Sequence, residues 1–112
     1  MKNQLTRGLG RRLMYIENKD GDIDGVPARI GWAEFSKTGK TVRYRGRELA
    51  SIGGRGVRGN FIDAETREEY WVSGVKQRGS NTHQAENVRV EIDPDALDAY
   101  RAVRSGAPAS KV

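Results

Sequence analysis

The chain has 112 residues, the size of one domain, and no cysteine, which excludes a disulfide framework and a thiolate metal site. Its apolar fraction of 36% lies in short runs, none near the roughly 18 consecutive apolar residues of a membrane helix, so a soluble cytoplasmic domain without a membrane partner is expected. The net charge of +5 sits early, with 13 Lys/Arg against 6 Asp/Glu in residues 1–60 and 7 against 9 in residues 61–112, and this asymmetry points to an anionic partner.

In chain order, residues 1–13 read as a flexible basic extension carrying Lys2, Arg7, Arg11 and Arg12. A single β-rich domain is expected over 14–104 and a disordered tail over 105–112. The apolar run Leu13 to Ile16 predicts a first strand, and Lys19 to Gly25 (KDGDIDG) supplies turn chemistry. Arg29 to Phe35 is apolar on both faces, Ile30 and Trp32 on one and Ala33 and Phe35 on the other, which predicts a central strand or one bulged at Gly31. Ser36 to Lys40 predicts a hairpin with Gly39 left-handed. Thr41 to Arg45 then alternates, with Val42 and Tyr44 inward and Arg43, Arg45 and, if the strand continues, Arg47 in a row on the other face.

Gly53 to Gly59 is a glycine-dense loop carrying Arg55 and Arg58. Two further strands are expected at Asn60 to Ile62 and Glu69 to Ser73, joined across Asp63 to Glu68. Residues Val88 to Ile92 alternate as a half-buried strand, and Asp93 with Pro94 opens a helix bearing Leu97, Tyr100 and Val103 on one side. The fold class is therefore mainly β: a strongly bent antiparallel sheet or small barrel of about five to six strands with one C-terminal helix.

Three motifs are weaker than they look. Asp20, Asp22, Asp24 and Gly25 open a calcium loop, but its twelfth position is Gly31 where a bidentate Glu belongs, so an acidic turn is the better reading. Gly54, Gly56 and Gly59 satisfy G-x-G-x-x-G, yet the next residues read as a strand rather than a helix. His83 is the only histidine, and no nucleophile or carboxylate is placed beside it by the sequence. No cofactor, metal or catalytic residue is assigned. Trp32, Trp71 and Tyr70 are read as core or half-core aromatics.

The strongest functional signal is the set Arg43, Arg45, Arg47, Arg55 and Arg58, whose guanidinium forks suit phosphates. The expected function is a non-enzymatic binding module presenting this basic face to nucleic acid or an acidic protein. The alternatives are a protein–protein interaction subunit, such as a toxin-neutralising or assembly protein, and a small enzyme using His83. Single-strand binders also interleave aromatics with their basic residues, and Tyr44 is expected to point away from the arginine row.

The motifs Met14-Tyr15-Ile16-Glu17 with Lys19, Arg29-Ile30-Gly31, Phe35-Ser36-Lys37-Thr38-Gly39 with Tyr44, and Tyr70-Trp71-Val72-Ser73-Gly74 with Lys76 and Gly79 resemble a family of small uncharacterised bacterial proteins. The resemblance spans roughly residues 14–92 and implies a compact fold beginning near Met14, but no reaction. Some members carry the name 1-deoxy-D-xylulose-5-phosphate synthase. Here Gly21-Asp22 is followed by Ile23, and no Asn-Asn pair occurs, so the thiamin-diphosphate motif of those much longer enzymes is missing.

Overall fold

The structure, a computed structural model, describes residues 10–53, 58–81 and 88–106. Seven strands form: β1 (Gly10–Asn18), β2 (Ala28–Phe35), β3 (Thr41–Tyr44), β4 (Arg47–Ser51), β5 (Phe61–Asp63), β6 (Glu69–Gly74) and β7 (Val90–Ile92). A 3-10 turn (Pro94–Ala96) leads into one helix, α1 (Leu97–Arg104). Sequential antiparallel pairing from β1 to β6, with β6 and β2 both bonded to β1, closes the first six strands into a barrel and leaves no edge among them. Strand β7 joins outside it, parallel to β2, pairing Ala28 with Val90 and Ile30 with Ile92.

Period-two alternation explains both cores. Ile16, Ala33, Phe35, Val42, Tyr44, Leu49, Phe61, Tyr70 and Val72 fill the barrel, and Ile23 joins them from the β1–β2 connection. Alternate residues Tyr15, Ala28 and Ile30 face outward and are covered by Val88, Val90 and Ile92 and by Tyr100 of α1. This is why Arg29 to Phe35 is apolar on both faces: one face lines the barrel and the other carries the C-terminal segment.

The expected hairpin at Ser36 to Lys40 forms, with Gly39 at φ 78°. Strand β1 differs from expectation by starting at Gly10, because Arg11 and Arg12 pair with Glu34 and Ala33 of β2. Gly31 lies in unbroken register rather than in a bulge; its missing side chain makes room for Asp93. Among the described residues no helix is long and apolar enough to cross a membrane.

Candidate functional site

The arginine row is broken at a turn. Tyr44 pairs with Arg47, so Arg45 and Gly46 are the two loop residues, at φ 49° and 79°, the signature of a type I′ hairpin. Arg45 therefore sits at a turn tip rather than on the outer face beside Arg43, while Arg47 begins β4. Sequence pattern favoured a longer strand because Arg-Gly carries a weaker turn signal than Asn-Gly.

Antiparallel order brings the ends of β1, β3 and β5 and the starts of β2, β4 and β6 to one mouth of the barrel. Each strand supplies one polar side chain there: Asn18, Arg29, Tyr44, Arg47, Asp63 and Tyr70. The β1–β2 connection lies across this mouth with Ile23 fully buried. Arg29, 7% exposed, donates from Nε to the Ile23 carbonyl at 2.8 Å and from Nη2 to the Asp24 carbonyl at 2.7 Å. The Asn18 amide donates to the Asp22 carbonyl and to Glu68 Oε1.

Asp93 completes this cluster from outside the barrel. It stands at the N-cap of the 3-10 turn, yet makes no capping bond. Its carboxylate instead accepts from the Tyr44 hydroxyl at 2.5 Å, Arg45 Nη2 at 3.1 Å and Arg29 Nη1 at 3.3 Å. Arg45 Nη1 and Arg47 Nη2 also donate to Asp24, at 2.8 and 3.0 Å. Hydrogen bonds from Arg47 and then Arg45 hold the Asp24 carboxyl below its usual range. Burial, then the Asp93 contact, pushes the Tyr44 phenol well up, and burial raises that of Tyr70.

Arg43 and Arg58 are also engaged. Register places Arg11 opposite Glu34, Glu34 opposite Arg43 and Arg43 opposite Glu48, a ladder of alternating charge across four outer strands. Arg43 lies 3.6 Å from Glu48 with its side chain 54% exposed. Arg58 pairs with Asp20 and donates to the Lys19 carbonyl. Thus Asp20 and Asp24 of the calcium-like motif turn to different arginines. Arg55, Gly54, Gly56 and His83 lie outside the described residues.

One buried polar cluster escaped the sequence reading. On the outer face of β1 the Tyr15 hydroxyl donates to Glu17 Oε1 at 2.6 Å, and Lys19 Nζ lies 2.9 Å from Glu17 Oε2 with side-chain exposures of 3% and 5%. Trp32, by contrast, is half-buried as expected. Its indole donates to the Asp95 carbonyl at 3.0 Å, and the Arg11 guanidinium stacks 4.5 Å from its ring.

Exposed positive charge without a described carboxylate partner lies elsewhere. Lys76 and Arg78 follow β6, Arg101 and Arg104 lie in the last turn of α1, and all four are exposed. Arg104 Nη1 donates to the carbonyls of Lys76 at 3.0 Å and Gly79 at 2.8 Å, tying the helix end to this segment. None of the four makes an ion pair with a described carboxylate, in contrast to Arg43, Arg45, Arg47 and Arg58. The Tyr100 ring lies 5.9 Å from the Arg104 guanidinium. Cations at a helix C-terminus ordinarily offset the helix dipole, which accounts for Arg101 and Arg104 singly but not for Lys76 and Arg78. The excess of acidic residues in 61–112 hid this patch; the only sequence signal was basic residues at both contributing ends. Comparison with family models, curated proteins and solved structures finds no match for the chain.

Proposed function

We propose that this protein is a non-enzymatic binding module that holds single-stranded nucleic acid against Lys76, Arg78, Arg101 and Arg104, with Tyr100 as the aromatic among them. The observation carrying this reading is four exposed cations, unpaired with any described carboxylate, at the end of α1 and on the segment that Arg104 ties to it, with the half-buried Tyr100 ring beside Arg104. Interleaved aromatic and basic residues are what a strand of stacked bases and phosphates requires. Of the arginines singled out in the sequence, Arg43 adds to the basic surface most readily, since its pairing is long and its side chain half exposed. Arg45 and Arg47 serve the barrel mouth first.

The test is fluorescence anisotropy with a labelled single-stranded oligonucleotide over a salt series. Four phosphate contacts give a log–log slope of roughly −3, or about fifty-fold weaker binding between 50 and 200 mM salt. Lys76→Glu, Arg78→Glu and Arg101→Glu each flatten that slope by about 0.7–1. Salt-independent binding, or binding unaffected by all three substitutions, removes the nucleic-acid reading. Saturable, weakly salt-dependent capture of an acidic protein on the same residues would instead make the module a protein-interaction subunit.

A further inference from the structure

Between β7, α1 and the segment after β6 lies an open cleft of about 250 Å³. Ile30, Val90 and Ile92 form its apolar part, and Asn81, Tyr100 and Arg104 are among its polar residues; no described carboxylate lines it. Arg104 is already anchored, because both hydrogens of Nη1 are directed to the carbonyls of Lys76 and Gly79. Its Nε and Nη2 donors have no partner among the described residues, and neither has the Tyr100 hydroxyl. Asn81 Oδ1 accepts from the Lys76 amide at 2.7 Å, which leaves Nδ2 as a further donor.

A fixed guanidinium with donors to spare is preorganised for an oxyanion, since its side-chain entropy is already lost and its fork matches the two oxygens of a carboxylate or phosphate. The apolar residues beside it reward a ligand that is more than a bare ion. The volume is below the roughly 300–1,000 Å³ of pockets for drug-sized molecules, so the ligand is compact.

We infer that this cleft binds a small organic oxyanion, its carboxylate or phosphate on Arg104 and Tyr100 and its apolar body on Val90 and Ile92, above the buried Ile30. The site shares Arg104 and Tyr100 with the proposed strand-binding surface but does not depend on that reading. Arg78→Glu separates the two, because Arg78 lies outside the cleft lining, so the change weakens oligonucleotide binding and spares the cleft.

The test is an NMR titration of the intact chain with benzoate and, separately, phenyl phosphate, following the Arg104 Nε–H signal and the Ile30 and Ile92 methyl signals. Benzamide and inorganic phosphate are the comparators. At least one aryl anion produces saturable shifts at millimolar concentration or below, and which one binds tighter identifies the headgroup. Arg104→Gln weakens that binding at least tenfold, and Tyr100→Phe weakens it severalfold. Equal shifts with benzamide, equal affinity for inorganic phosphate, or retained binding in both variants would overturn the assignment. So would silence from both aryl anions.

Discussion

Replacing Asp93 by Ala removes one carboxylate that three groups share. The Tyr44 hydroxyl loses an acceptor at 2.5 Å, Arg45 keeps Asp24 as its carboxylate partner, and Arg29 keeps the two loop carbonyls and Glu91 at 3.7 Å. Removing one partner of a buried pair costs about 3–5 kcal/mol, and the partners that remain put this case near the lower end, about 3 kcal/mol. For a domain of this size that corresponds to a fall in Tm of roughly 12–24 °C. Urea unfolding followed by Trp32 and Trp71 fluorescence measures it, with an unchanged m-value showing that the same surface is exposed. Asp95→Ala, two residues on with its side chain 69% exposed, is the control and changes stability by less than about 0.5 kcal/mol. A double-mutant cycle with Tyr44→Phe gives a coupling of about 0.5–3 kcal/mol if the two side chains act together. A loss below about 1 kcal/mol in Asp93→Ala, or additivity in the cycle, would refute the claim that this carboxylate fastens the C-terminal segment to the barrel mouth.

Three further outcomes concern the barrel mouth and the outer face of β1. Gly31→Ala lowers stability severely by equilibrium unfolding, because its Cβ would overlap Asp93 Oδ2 and lie 2.9 Å from the Tyr44 hydroxyl. Glu17→Ala removes one carboxylate from the buried Lys19 ammonium and costs about 3 kcal/mol in the same assay, whereas replacing both residues with apolar ones recovers much of the loss. Stability depends on pH at both extremes. The lowered Asp24 carboxyl contributes stability that is present above its unfolded value near 3.8 and lost as pH falls through its lower folded value, so Asp24→Asn flattens the acid limb. The raised phenols of Tyr44 and Tyr70 contribute stability present below their unfolded value of 10.0 and lost above it. Tyrosinate absorbance therefore shows these two ionising only as the fold is lost.

Strand content was legible because alternation survives in single sequences: Val42 and Tyr44, or Tyr70 and Val72, face inward whatever their partners. Closure was less legible, since it rests on β1 pairing with both β2 and β6, long-range contacts that no local pattern encodes. The parallel pairing of β7 was hidden for the same reason. Asp93 misled because an Asp-Pro at a helix start is a strong local signal, yet the tertiary partners Tyr44, Arg45 and Arg29 outcompete the capping bond. The arginines were visible but their carboxylates were not: Asp24 lies 21 residues from Arg45 in the chain and Asp93 lies 48. Lys76, Arg78, Arg101 and Arg104 were missed by the converse effect, since their half of the chain is acidic on average while the fold gathers its cations at one helix end.

The central functional claim is that positive charge free to meet an anion lies at Lys76, Arg78 and Arg101, while Arg45 and Arg47 hold the barrel mouth together. One comparison tests it: the salt dependence of single-stranded oligonucleotide binding by the Lys76→Glu/Arg78→Glu/Arg101→Glu triple variant against that of Arg45→Asn, which preserves the left-handed turn position. The triple variant loses most of the salt-sensitive affinity at unchanged Tm, and Arg45→Asn keeps the affinity at lowered Tm. The opposite pattern, affinity lost in Arg45→Asn and kept in the triple variant, would contradict the account and return the site to the barrel mouth.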